Sequence, residues 1–222
     1  MATFANTAGY SEHHRLSLDL RLRRARLGLA VGAIGILMLF ISFTSAYIVR
    51  QGLPTLDSRT NTLVRDWFPV PLPALLFLNT AVLLISSVTM ELARRQARHS
   101  SRTAVASIPG VSLGPDGTLI WLALSLLLGL GFLKGQWIAW RELSAFGFDM
   151  ATSASSSFVY LLTGTHAVHL LGGVLALLFA VAATLFRRSS TAHSCFLDVT
   201  AWYWHFMTVL WIYILCLLEF AH

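Results

Sequence analysis

Five apolar runs, each about twenty residues or longer, divide this chain, and that feature leaves few folds open. They are roughly Leu27–Val49, Leu72–Leu92, Thr118–Trp140, Phe158–Phe186 and Phe196–Phe220. An α-helix needs about twenty apolar residues to cross the hydrocarbon core of a bilayer, where unpaired backbone polar groups are not tolerated. The implied architecture is all-α, a polytopic membrane protein with five transmembrane helices. Composition agrees: 56% of the 222 residues are hydrophobic and only 12% charged, against roughly 25% charged in soluble domains. No low-complexity linker separates the runs. Residues 27–222 are therefore expected to form one membrane domain, preceded by a polar, basic segment over residues 1–26. Residues 1–20 of that segment are expected to be partly disordered or to lie on the surface. No cleavable signal peptide is evident, because the apolar run after Arg15–Arg26 is too long and lacks a small-x-small exit.

The formal net charge of +6 would point to nucleic acid in a soluble chain. Here the arginines flank membrane spans, so they read as orientation signals. On one side stand Arg15, Arg21, Arg23, Arg24 and Arg26, then Arg94, Arg95, Arg98 and Arg102, then Arg187 and Arg188. The other side holds only Arg50, Arg59, Arg65 and Arg141. The positive-inside rule then puts the N-terminus in the cytoplasm and, after an odd number of crossings, the C-terminus outside. The connection 51–70 is polar and external, 97–117 carries turn residues and is cytoplasmic, and 142–157 is external with a flexible run over Thr152–Ser157. Cys195 in a loop and Cys216 in a helix form no spaced motif and are expected to be free.

Polar and small residues inside the spans carry the remaining information. Gly28, Gly32, Gly35, Ser42 and Ala46 fall on one face of the first span, which suits close packing inside the subunit or against a partner. Asn79 in the second span is a candidate interhelical donor, and Glu91 closes that span beside Arg94 and Arg95. In the third span Lys134 reads as a snorkelling side chain, Gln136 as an interhelical hydrogen-bonding group and Glu142 as interfacial. His166 and His169 in the fourth share a face with Gly173. Three readings compete for these histidines: a metal site, haem ligation, or hydrogen bonding between helices or to lipid headgroups. No Cys, Asp or Glu in the spans completes a ligand set, and haem usually takes axial ligands from facing helices. His205, among the aromatics Trp202, Tyr203, Trp204 and Phe206, lies near the opposite membrane face, which disfavours one cluster of all three. Glu219 at the outer end of the last span is read as the one carboxylate inside a span, an absence that argues against a pump or ion-coupled transporter acting alone.

Four of these segments carry a family resemblance. Ala201–Trp211 (AWYWHFMTVLW), Leu162–Gly173 (LTGTHAVHLLGG), Leu78–Glu91 (LNTAVLLISSVTME) and Leu128–Leu143 (LGLGFLKGQWIAWREL) occur in order and resemble motifs of the cytochrome c oxidase subunit III family of haem–copper oxidases. The resemblance extends from about Gly28 to Phe220 and is to the short five-helix form, which lacks the first two helices of the seven-helix one. It implies two helix groups around a V-shaped cleft that binds phospholipid, and no haem, copper or other redox metal in this chain. It also implies a non-catalytic role: binding and stabilising the catalytic subunit I, with subunit II a further partner, sustaining proton uptake, and offering the lipid cleft as a route for oxygen. By resemblance, His166, His169, Trp204 and His205 would line helix contacts or the cleft, and Gln136 and Glu142 would hold the outer end of the third helix.

Two positions depart from the family pattern. A Glu often follows the Leu-Phe-x-Ser pattern of the first span, where this chain has Phe43, and an Asp often follows the His-Phe pair by two, where it has Thr208. The leading expectation is a non-catalytic membrane subunit of a terminal oxidase in the bacterial inner membrane, with cytochrome c or quinol as the electron donor. An accessory protein of nitric oxide reductase and a stand-alone transporter are the alternatives.

Overall fold

A computed structural model describes residues 2–56, 62–64, 67, 73–104, 117–150, 152–186 and 191–220. Five long helices dominate: α1 (Ala2–Gly52), α2 (Leu75–Ala104), α3 (Gly117–Ala145), α4 (Ala154–Leu185) and α5 (Thr191–Phe220). Each contains a stretch long and apolar enough to cross a membrane: Arg23–Gly52, Leu75–His99, Gly117–Ala145, Ala154–Leu185 and Cys195–Phe220. The 32 residues of α4 rise about 48 Å, well beyond a hydrocarbon core of roughly 30 Å, so this helix tilts or projects.

The helices outrun the apolar runs because backbone hydrogen bonding does not stop where hydropathy does. The helix of α1 reaches back to Ala2, so the basic N-terminal segment is helical and continuous with the span. The α2 helix continues to Ala104, through residues expected to form a loop. Because α5 starts at Thr191, Cys195 is helical rather than in a loop, and both cysteines are free. Between α1 and α2 a short antiparallel pair, β1 (Thr55–Leu56) and β2 (Leu63–Val64), was not anticipated. The arginines Arg15, Arg21, Arg59, Arg65, Arg102, Arg187 and Arg188 lie outside the residues whose side chains are described.

The turn between α3 and α4 is built more firmly than its composition suggested. Gly147, with φ of 83°, closes α3: its N–H bonds the Ser144 carbonyl and that of Phe148 bonds the Leu143 carbonyl, the two bonds of a Schellman motif. Six residues on, Ser153 caps α4. Its hydroxyl accepts from the Ser156 N–H at 3.2 Å while the Ser156 hydroxyl accepts from the Ser153 N–H at 3.2 Å. The serine run expected to be flexible is thus a capping box that satisfies helix-end donors.

Helices α2 to α5 close into a ring in which α3 packs on α2 and α4, and α5 on α4 and α2. Their shared core holds Leu83, Leu122, Phe132, Leu170, Trp204 and Trp211. Among the described residues the only helices α1 touches are α4 and α5, and it buries only Phe40 and Tyr47. Tyr47 is held edge-on by Trp67, with ring centroids 5.0 Å apart, and by Phe158 at 5.7 Å.

The tightest approach in the ring is at Trp204. A Cβ at Gly129 of α3 would stand 2.7 Å from the indole Cη2, and one at Gly173 of α4 would stand 3.1 Å from Cζ3. Gly131, two residues away, faces open space. Gly129→Ala is therefore expected to destabilise the bundle by about 1–3 kcal/mol through overpacking, and Gly131→Ala to leave it unchanged or slightly firmer. Thermal unfolding of the two detergent-solubilised variants measures the difference; equal melting would remove Trp204 as the packing constraint.

Candidate functional site

The polar groups of the bundle gather in three places. The first is the layer around Trp204. Its indole N–H donates to the Ser86 hydroxyl at 3.2 Å, and Ser86 in turn donates to the Ser125 carbonyl at 3.0 Å. Thr89 and Ser125 share a hydroxyl–hydroxyl bond of 2.8 Å. The layer links α2, α3 and α5 and puts the indole against Gly173 of α4. Thr208, where the family motif often has Asp, is buried and donates back to the Trp204 carbonyl at 3.0 Å.

The second place is the arginine-bearing end. His205 shares a 2.6 Å hydrogen bond with Ser87 through Nδ1, and its Nε2 lies 3.5 Å from Glu91. Glu91 is gripped on its own helix by Arg94, through bonds of 2.7 and 2.9 Å, and by Arg95 at 2.9 Å. Arg94 also reaches Asp198 of α5 at 3.2 Å. Asp198 accepts further bonds from Arg98 and from Arg26 of α1, the latter at 3.0 and 2.6 Å. Asp198 is only 4% exposed. It corrects the expectation that Glu219 is the one carboxylate within a span: Glu219 is exposed, whereas Asp198 is buried three residues inside the last one. A carboxylate is tolerated there because three guanidinium groups from two other helices surround it. The sequence signal was available, since Asp198 faces the Arg-rich ends of α1 and α2 once the orientation is drawn, but the apolar run concealed it.

The third place is the opposite half of the ring, around Asn79, Gln136 and His166. His166 is fully buried, with its ring 5.1 Å from Trp211 and 6.1 Å from Phe132. His169 turns elsewhere. Its Nδ1 sits 2.8 Å from the Thr165 carbonyl and its ring lies 6.2 Å from Phe40 of α1. The i, i+3 pair thus serves two different neighbours. Gln136 and Asn79 are buried, but Gln136 Oε1 and Asn79 Nδ2 have no hydrogen-bond partner among the described residues. The expected interhelical bonds are not made by those atoms. Lys134 and Glu142 are exposed. Among the described residues, Gly28, Gly32 and Gly35 meet nothing of this chain within 4 Å of an added Cβ and so pack against no described helix, whereas Gly173 lies under Trp204. Among the described residues no group of three His, Cys, Asp or Glu side chains is placed to hold a metal ion.

Comparison with known proteins places this geometry. A family model described as cytochrome c oxidase subunit III matches residues 4–220. A probable cytochrome c oxidase subunit 3 of Mycobacterium leprae is 34% identical over 100 residues, covering 45% of this chain and 50% of that protein. Cytochrome c oxidase subunit 3 of Branchiostoma lanceolatum is 30% identical over 195 residues, 85% of this chain and 66% of the relative. The Nocardia farcinica probable cytochrome c oxidase subunit 3 is 26% identical over 219 residues, 96% of this chain and 95% of the relative. The chain spans about half the length of the mycobacterial relatives it matches.

Asp198 yields a direct prediction. Asp198→Asn removes the charge that three arginines share, and is expected to cost about 1.5–3 kcal/mol, the range for hydrogen bonds to charged groups. Melting should fall, and trypsin should cut at Arg23–Arg26 sooner as α1 loosens. Unchanged melting and cleavage would mean that Asp198 does not hold α1.

Proposed function

The chain belongs to the cytochrome c oxidase subunit III family, in its short five-helix form, and from that premise we propose that it is a non-catalytic membrane subunit of a haem–copper terminal oxidase. It is a multi-pass protein of the bacterial inner membrane, in a complex that reduces oxygen to water. The family match over nearly the whole chain carries this reading. Haem and copper belong to the partner subunits, and this chain contributes binding surface, stability to subunit I and sites for phospholipid. Subunit II is a second partner.

Three features of the molecule support specific roles. The first span of α1 leaves most of its apolar surface uncovered, and the open glycine face of Gly28, Gly32 and Gly35 lies on it. Small residues are what a second membrane helix needs for close approach, so this face is assigned to a partner. His166, Gln136 and Trp204 act as helix contacts within the ring, while His169, on the α1 side, and His205 border the region open to lipid. Glu142 lies at the outer end of α3. Residues 27–222 function as one domain. The arginine bias of the sequence supports a cytoplasmic N-terminus and an external C-terminus, with the Arg26, Arg94, Arg98 and Asp198 cluster at the cytoplasmic face.

Purification of the native complex tests the function. The chain is expected to co-purify with haem-bearing subunits, and alone to show no haem absorbance and no stoichiometric copper. Haem or copper in the isolated chain would overturn the non-catalytic reading, and a subunit list headed by a nitric oxide reductase would replace the oxidase. Gly32→Leu is expected to lower the yield of co-purified subunit I without lowering the level of the chain in membranes; an unchanged yield would reject that face as the interface. Alkaline phosphatase fused after Phe220 should be active and a fluorescent protein fused there dark; the reverse pattern inverts the topology.

A further inference from the structure

Two polar layers cross the α2–α5 ring, and only one closes on itself. Around Trp204 the indole, hydroxyl and carbonyl groups find one another. The layer nearer Trp140 does not. Asn79 Nδ2, Gln136 Oε1 and both ring nitrogens of His166 are buried without a hydrogen-bond partner among the described residues. The side chains are 3%, 2% and 0% exposed. Buried polar groups in native proteins are almost always paired, with protein or with ordered water, so four such atoms in one region need an account.

They do lie in one region. Asn79 presses on α3 beside Gln136, since a Cβ at Gly135 would fall 2.0 Å from Asn79 Oδ1. Gln136 stands one turn from Phe132, whose ring meets both His166 and Trp211. On its other side Gln136 is one turn from Trp140, which bonds Thr163, one turn before His166. Trp211 bonds Thr80, the neighbour of Asn79, at 2.9 Å. Three helices therefore bring unpaired polar atoms to one level, with the Trp211–Phe132 pair packed beside them.

The chemistry of the set selects its ligand. Asn79 Nδ2 is a donor and Gln136 Oε1 an acceptor, and a neutral imidazole offers one of each. Lys134, Arg141 and Glu142, the charged groups on this part of α3, are exposed and turned away. The set thus asks for a small neutral molecule that both donates and accepts. Because the two imidazole nitrogens point in different directions, one such molecule cannot serve both. We infer that Asn79, Gln136 and His166 form an internal water site in the membrane-embedded ring, holding at least two ordered waters. The site depends on this chain's own side chains and is independent of the complex the chain joins.

Radiolytic hydroxyl labelling of the full-length chain in its native membrane, in ¹⁸O water and read by mass spectrometry, tests it. Radicals born from bound water mark the side chains beside it. Trp211 and Trp204, 1% and 0% exposed on the same helix, are equally shielded from bulk solvent. Trp211 is expected to label several-fold faster than Trp204, and His166→Leu combined with Gln136→Leu to abolish the excess. Equal labelling of the two tryptophans overturns the site, as does an excess that survives the double substitution. Where the double variant does not accumulate, the comparison of the two tryptophans in the unaltered chain decides.

Discussion

Membrane helices gain nothing from hydrophobic association, because lipid tails are as apolar as leucine. What holds this ring together has to be close packing and hydrogen bonding, and both converge on Trp204. Its indole lies between two positions, Gly129 and Gly173, where even a methyl group would crowd it, and its N–H is satisfied by Ser86. One side chain of α5 thereby sets the spacing of α3 and α4 and the rotation of α2. The serines that complete the layer are small enough not to push the backbones apart. This explains why a large aromatic and several very small residues occur at the same depth.

Helix α1 obeys different rules. It has no wedge of that kind, and its membrane-spanning part, Arg23–Gly52, is tied near both ends. At one end Arg26 meets Asp198, and at the other Tyr47 sits against Trp67 and Phe158. Between them Thr44 shares a 2.8 Å bond with Tyr213, and Phe40 is the buried anchor. Most of the surface between these ties is left uncovered. An element fixed at its ends and bare along its length presents a defined surface without contributing much to the ring, which is a suitable arrangement for a face meant to be covered by another chain.

The spans were legible because twenty-residue apolar runs admit one structure in a bilayer, and family membership was legible in four ordered motifs. The site was legible only in part. His166 and His169 lie on one helical face, but a single sequence does not say which neighbours stand there, and they point to different ones. Asp198 was lost inside an apolar run because its partners are distant in sequence, with Arg26 172 positions away. Ser153 and Ser156 look like loop composition until the capping geometry gives them opposite roles in one box. In each case the sequence fixes the residue's chemistry, and the tertiary partner decides its use.

The two departures from the family pattern follow from the same packing logic. A carboxylate at position 43 or 208 would need a partner in a low-dielectric interior. Phe43 instead adds a ring edge-on to Phe40, 6.3 Å away, and extends the apolar contact of α1. Thr208 satisfies its hydroxyl on the Trp204 carbonyl and asks nothing of the neighbouring helices. With no acid at either position, the acidic charge found in the ring is held by buried Asp198 and half-buried Glu91, at the end where arginines can reach it. Among the described residues the interior of the opposite half is left with neutral polar groups alone, its charged side chains being exposed, so its unpaired atoms call for a neutral partner rather than an ion.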